Sequence, residues 1–282
     1  MISSQTVRAA MMQVRAESRI NFLTPSFLAI ISGPLVLIFI ISIVMGDMSY
    51  DGIFESAGAY SLAGLIGVAG TMSAFQVMSE MQQERTEGTL LRLRMLPAGA
   101  TSWVVGKTIT SFAYLLVTGA LSITGSMIFF PDLRPESPVG YLALVLLLLA
   151  SFLAFFPFGI MAGTLVRNTW GMLIAMVVFM VVYAGAGTMI PMDWYPDWVQ
   201  WLVAATPFYW VAHLGRWALL PAEAGVAEIT GSFEPLLGVV ILGIWAIIGY
   251  AAAPKLLRSS LNRETVGGFQ ATREKIATRG YA

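Results

Sequence analysis

Gly106, Lys107 and Thr108 have the residue types that close a phosphate-binding loop, in which glycine backbone N–H groups and one lysine hold a nucleotide's phosphates. The full pattern needs a second glycine five residues before Gly106, between a strand and a soluble helix. Thr101 stands there instead, and an apolar stretch follows Lys107 directly. No nucleotide site is assigned, and Lys107 is expected to snorkel, with its stem along apolar neighbours and its ammonium among lipid headgroups. His213 is the only histidine, and the chain has no cysteine. One imidazole cannot supply the several ligands of a metal site or the base and orienting partner of a catalytic centre. Among aromatic neighbours, His213 reads as interfacial packing. Neither HExxH nor GxSxG occurs, so no catalytic and no metal-binding residue is assigned.

Residues 79–102 offer binding rather than reaction chemistry. Glu84, Arg85 and Glu87 mix signs, and Thr86 can cap a helix whose first turn suits Glu87. Leu90, Leu91, Leu93 and Leu96 then stand among Arg92 and Arg94. Leu96 before Pro97 disfavours helix, and Pro97, Ala98 and Gly99 turn the chain. The pattern predicts a short amphipathic cytoplasmic helix that either docks on a protein partner or rests on the membrane.

The elements that must position these residues follow from composition. The 282 residues are 57% hydrophobic and 11% charged, against about 25% charged in a typical soluble domain. A membrane-spanning helix needs about 20 apolar residues, and the sequence supplies six such runs, at 22–45, 57–78, 103–130, 139–166, 170–189 and 236–253. An even number of spans puts both termini on one side. Fourteen of the sixteen Lys and Arg flank that side, leaving Arg134 and Arg216 for the other, so both termini are expected in the cytoplasm. The fold class expected is an all-α, multi-pass membrane protein. Residues 1–260 form a single transmembrane domain, and 255–282 a basic cytoplasmic tail. No cleavable signal peptide is expected, because the first apolar run starts late and is too long for one. Within 1–21, Val7, Ala10, Met11 and Val14 share one helical side with Arg8, Arg15 and Arg19 beside it, as in a helix lying on the inner membrane surface.

Polar residues inside the spans point to a pathway. The second run carries Gly64, Gly67, Gly70, Thr71, Ser73 and Gln76, and the fifth carries Tyr183, Gly185, Gly187 and Thr188. Such residues either pack helices closely or line a route for substrate. No span bears a charge near its centre, which disfavours coupling to protons or sodium through a buried carboxylate. Between the last two runs, Trp194, Trp198 and Trp201 recur at i, i+4 and i+7, and Phe208, Tyr209, Trp210 and Trp217 follow the Thr206-Pro207 break. Residues 190–235 are expected to form an external re-entrant hairpin. Trp194, Trp198, Trp201, Pro207 and Phe208 would serve it as an outer gate, an interfacial belt, or both.

Glu87-Gly88-Thr89-Leu90, with Leu93, Pro97 and Gly106-Lys107, resembles the cytoplasmic signature of ABC type-2 transporter permeases, the membrane halves of exporters such as the daunorubicin-resistance systems. Pro191, Trp194, Pro196, Trp198, Thr206-Pro207-Phe208-Tyr209 and Arg216 look like the same family's external segment. Leu91 departs from the pattern, standing where a Glu is expected. The resemblance covers roughly residues 1–260. It implies a half-transporter in a bacterial cytoplasmic membrane, paired with an identical or homologous permease and with two copies of a cytoplasmic ABC ATPase. ATP and Mg would be bound by that ATPase, with no cofactor in this chain and no nucleic-acid partner. It further implies that the surface helix, with Glu84, Arg85, Glu87, Gly88, Thr89, Leu90, Leu93 and Pro97, seats the ATPase. Thr71, Ser73, Gln76, Tyr183 and Thr188 would flank the route of a hydrophobic or amphipathic compound. The alternatives are a secondary transporter driven by an ion gradient and a non-transporting membrane anchor or sensor.

Overall fold

The computed structural model describes residues 11–12, 14–15, 18–19, 26–46, 48, 57–90, 99–131, 133–135, 138–166 and 168–263, and among these the regular elements are helices. In lipid each backbone polar group has to be satisfied within its own segment, so long apolar runs fold as helices. Helix α1 spans Ser26–Met45, α2 Ala57–Val68 and α3 Met72–Glu87, with a 3-10 turn over Ala69–Thr71 between the last two. Then come α4 (Gly99–Phe129), α5 (Pro138–Leu165) and α6 (Thr169–Gly185). Two short helices, α7 (Asp197–Ala204) and α8 (Pro207–Leu219), precede the long α9 (Pro235–Arg263). The N-terminal surface helix expected over 1–21 lies largely outside the described residues; Met11, Met12, Val14, Arg15, Ser18 and Arg19 are helical. The tail beyond Arg263 lies outside them too.

Three described helices are long and apolar enough to cross a membrane, over Thr101–Phe129, Pro138–Leu165 and Pro235–Ser260. A fourth crossing results if α2 and α3, bent by 44° at their junction, count as one span. The expectation of six uniform spans is therefore met for three, or four with the bent pair. The fifth run falls short because α6 stops at Gly185: Gly187 has φ 68, and the chain turns there. Its 17 residues rise about 25 Å at 1.5 Å each, less than the ~30 Å hydrocarbon core.

α5 is the hub. Its Leu148, Phe152, Phe156 and Ile160 pack with Val77 and Met81 of α3, Leu115 of α4, and Ala253 and Leu257 of α9. Helix α8 lies against α2, and Gly67 and Gly215 face each other at the crossing. A Cβ on Gly67 would collide with the carbonyl of Val211, and one on Gly215 with the carbonyl of Ala63. Small residues let two backbones meet in this way. Gly67→Val should force the helices apart and destabilise the protein by about 1–3 kcal/mol or more, read as a lower midpoint of thermal unfolding in detergent. Gly243→Val, where an added Cβ meets nothing within 4 Å, should leave the midpoint unchanged.

Candidate functional site

The charged end of the molecule is built on α3, which runs past the expected end of the second span to Glu87. Thr86 does not open a helix, as its neighbours in sequence suggested. It lies in the last turn of α3, where its hydroxyl donates to the Gln83 carbonyl at 2.8 Å. Gly88, at φ 77, closes the helix in the left-handed conformation, and its N–H donates to Arg85 O. A glycine just past a helix end is the stronger signal, because only glycine adopts that conformation without a Cβ clash. Thr89 and Leu90 are again helical, and Leu90 is buried with Trp103, Met81 and Leu257. Leu93 and Pro97 lie outside the described residues.

Lys107 does not snorkel. It is buried, with its ammonium 2.9 Å from Glu80 Oε2 and 2.8 Å from Glu84 Oε1. Trp103 Nε1 donates to the other Glu84 oxygen at 2.6 Å, and Gln76 Nε2 donates to Glu80 Oε1 at 2.9 Å. The physical reason is register: α4 begins at Gly99, so Lys107 lies one turn beyond Trp103 on the face turned toward α3. Arg85 fastens α3 on its other side, donating to Val166 O at 2.7 Å and Gly163 O at 3.2 Å, at the C-terminal end of α5. A cation there satisfies carbonyls that have no partner within the helix. Charge-assisted hydrogen bonds thus tie the end of α3 to both α4 and α5, while Glu87 stays exposed at its tip.

A second charged cluster holds α8. Arg216 grips Glu228 with both arms, Nε to Oε1 at 2.5 Å and Nη2 to Oε2 at 3.0 Å. Its third nitrogen, Nη1, donates to Gly187 O at 2.8 Å, and the guanidinium lies 4.8 Å from the centre of the Tyr60 ring. His213 Nε2 accepts from the Glu234 N–H at 2.8 Å, which leaves Nδ1 to donate to Glu228 Oε2 at 2.9 Å. Tyr209 donates its hydroxyl to the same oxygen at 2.8 Å. Arg216, His213 and Glu228 are fully enclosed. Burial by itself would raise the Glu228 carboxyl, but the charge of Arg216 and the bonds from His213 and Arg216 hold it well below the ordinary range. Glu228 and Arg216 therefore stay ionised at neutral pH, and their pair acts as a fixed brace. Reading His213 as packing alone and Arg216 as a flanking charge missed this brace. Its signal was in the sequence: Tyr209, His213 and Arg216 fall at i, i+4 and i+7, one polar stripe on an otherwise apolar helix.

The expected pathway residues take different environments. Thr71, Ser73 and Thr188 are buried within the chain's own packing. Ser73 donates to Gly70 O at 2.6 Å and Thr188 to Tyr183 O at 3.1 Å. Gln76 and Tyr183 are half-buried. The gate residues also divide. Trp194 sits in a 3-10 turn, and the Tyr195-Pro196 break separates it from Trp198 and Trp201 of α7, so the three indoles do not share one helix. All three are exposed, as an interfacial belt requires. Pro207 and Phe208 instead start α8 and face inward, with the Phe208 ring 4.8 Å from Phe155 and 5.0 Å from Phe179.

Comparison with known proteins places this arrangement. Residues 13–220 match the family model described as ABC-2 type transporter. Over 218 residues the chain is 26% identical to the probable doxorubicin resistance ABC transporter permease protein DrrC of Mycobacterium tuberculosis strain CDC 1551 / Oshkosh, covering 74% of this chain and 72% of the relative. The protein of the same description from strain ATCC 25618 / H37Rv matches with the same figures.

Proposed function

Because the chain belongs to the ABC-2 type transporter family, we propose that it is the membrane half of an exporter driven by a separate cytoplasmic ATPase, moving a hydrophobic or amphipathic compound out of the cell. The ATPase binds ATP and Mg, and two copies of it serve a pair of permease halves, this chain and an identical or homologous second one. The assembly sits in the bacterial cytoplasmic membrane with both termini of this chain inside. The long apolar runs and the placement of Lys and Arg support this setting.

The observation that carries the reading is the fastened end of α3. Transport powered from the cytosol needs a stiff element running from the ATPase into the bilayer, and a helix pinned by Lys107 on one side and Arg85 on the other is such an element. Its exposed tip at Glu87, with Thr89 and, beyond the described residues, Leu93 and Pro97, forms the seat of the ATPase, while the enclosed Leu90 fastens the tip from within. Force on that tip moves α3 with α4 and α5, and so reaches the region of Gln76 and, across the bundle, Tyr183.

The test is to tag the C-terminus in the native host, extract in mild detergent and assay what co-purifies. A protein with a phosphate-binding loop, whose ATP turnover rises when hydrophobic compounds are added, is the expected companion. Glu87→Arg reverses an exposed charge, so it should leave insertion and unfolding midpoint unchanged and lower recovery of the ATPase about tenfold, equivalent to about 1.4 kcal/mol. Undiminished recovery would remove Glu87 from the seat. ATP-independent transport in sealed vesicles would reject the exporter reading itself.

A further inference from the structure

A cavity of about 300 Å³ opens where the segment joining α4 to α5 meets the end of α8. Helix α4 leads from Trp103, beside Glu84, to Phe129, so this cavity lies at the end of that helix away from the charged tip of α3. Arg134 and Pro135 border it from the joining segment, Val139, Gly140 and Ala143 from the first turns of α5, and residues 217–222 from α8 and the chain beyond. The parts are held in place from beneath, because Leu133, Leu144 and Leu219 are buried in one cluster.

Its rim offers both donors and acceptors. Among the described residues, the exposed Arg134 guanidinium meets no carboxylate and no hydrogen-bond acceptor, and the Trp217 indole N–H donates to nothing. The acceptors are backbone carbonyls, since the last turn of a helix has no donors of its own for them. Only Arg216 O is capped, by the Leu220 N–H at 2.8 Å. Pro221, four residues after Trp217, has no N–H to give, and the chain is already extended at Leu220. Trp217 O, Ala218 O and Leu219 O therefore lack a donor among the described residues, at the negative end of the α8 dipole. A guest that carries an anion for Arg134 and an N–H cation for these carbonyls fits both sets. Asp132 and Glu136 flank Arg134 in sequence, and Glu223 follows the α8 edge. One cation among three acids disfavours a purely anionic guest, whereas a zwitterion adds no net charge. The volume is at the small end of the roughly 300–1,000 Å³ of ligand sites and suits a headgroup alone. Chains have their own path: Leu142, Val145 and Leu146 are exposed on the turns of α5 that follow Val139.

We propose that this cavity seats the headgroup of a phosphatidylethanolamine molecule: its phosphate accepts from Arg134 and the Trp217 indole, its ammonium donates to the carbonyls that end α8, and an acyl chain lies along α5. Phosphatidylcholine carries the same phosphate, but its quaternary nitrogen has no N–H, so the α8 carbonyls tell the two lipids apart. The leaflet is the outer one on the topology proposed above, and nothing else in the inference rests on that reading.

The test places the full chain in phosphatidylcholine nanodiscs with a small share of phosphatidylethanolamine that bears a photoreactive diazirine in one acyl chain, close to the glycerol. After irradiation, the adducts are mapped by mass spectrometry of the digest. They should concentrate on residues 139–146 and 217–222. Unlabelled phosphatidylethanolamine should compete about tenfold better than phosphatidylcholine or phosphatidylglycerol. Arg134→Gln changes an exposed side chain, so the unfolding midpoint should stay and the labelling should fall about tenfold. Arg134→Lys should restore most of it, since an ammonium also pairs with phosphate. Arg258→Gln, exposed near the other end of the bundle, should change nothing. Labelling spread evenly over the lipid-facing helices, equal competition by phosphatidylcholine, or full labelling of Arg134→Gln would overturn the proposal. A preference for phosphatidylglycerol would overturn it in favour of an anionic lipid. Competition by soluble glycerophosphoethanolamine as strong as by the lipid would overturn the lipid as occupant. Labelling needs neither ATP nor a second subunit, so it and ATP-dependent transport can each fail without the other.

Discussion

Arg216→Met should cost the protein about 3–5 kcal/mol, because it leaves the Glu228 carboxylate enclosed without its cation. That is a large part of the 5–15 kcal/mol that holds an ordinary domain folded. The variant is expected to lose its monodisperse peak in detergent or to unfold many degrees lower. The brace reaches further than one pair, since Arg216 also holds Gly187 at the turn that ends α6, and Glu228 also receives His213 and Tyr209. Methionine matches much of arginine's aliphatic volume, so the loss reports on charge and hydrogen bonding rather than on a void. Adding Glu228→Gln to Arg216→Met removes the stranded charge and should recover a good part of the stability. A double-mutant cycle over these two positions measures the coupling directly. An unfolding midpoint for Arg216→Met equal to that of the unaltered chain would show that the cluster contributes no stability.

Lys107→Met should act on stability more gently and on coupling more strongly. It leaves Glu80 and Glu84, one turn apart on the face of α3 turned toward α4, without their shared cation. Their side chains keep 23% and 16% of their exposure, so water screens part of the repulsion, and a loss of about 1–3 kcal/mol is expected. The functional consequence follows from stiffness. Without the ammonium that joins them, the end of α3 is free to slide against α4, and force from the cytosol is dissipated at the junction. Stimulation of ATP turnover by a transported compound, measured on the reconstituted complex, should fall about tenfold, equivalent to about 1.4 kcal/mol of lost coupling. Lys107→Met with Glu80→Gln should regain most of the stability. Stimulation that survives Lys107→Met in full would assign the triad to packing alone.

How much of this was legible in the sequence differs from element to element. The apolar runs that became α4, α5 and α9 were readable because a helix in lipid needs little more than length and apolar content. The break at Ala69–Thr71 was not, since Gly67, Gly70 and Thr71 suit a straight, closely packed helix as well as a bent one. The end of α3 was misplaced because Thr86-Glu87 satisfies the rules for starting a helix, and only the left-handed turn at Gly88 shows that the helix ends there. Lys107 was misread for a related reason. Snorkelling is the outcome for a lysine at a helix end, and the sequence did not reveal that α4 starts two turns earlier and turns Lys107 toward two carboxylates. The brace around Arg216 brings Glu228 to a residue twelve positions away. The polar stripe on α8 foretold an enclosed partner, but the partner lies beyond a 3-10 turn whose direction no periodicity encodes. The apolar cavity lined by Phe75, Phe155, Phe179, Phe208 and Trp245 combines residues from five helices, so its existence is a property of packing alone.

The bend between α2 and α3 divides the second apolar run into two separately seated parts. The α2 half is seated on α8 by backbone contact at Gly67 and Gly215, while the α3 half is seated on α5, where Gly159 abuts Ala74 and Gly163 abuts Met81. A straight rod would deliver every movement of its inner end to its outer end. On the exporter reading, a twist applied at Glu87 would turn one seated half, and the 3-10 joint would set the share that crosses to the other. The joint would then act as a clutch, with the stiffness of Ala69–Thr71 rather than the length of the lever setting how much movement is passed on.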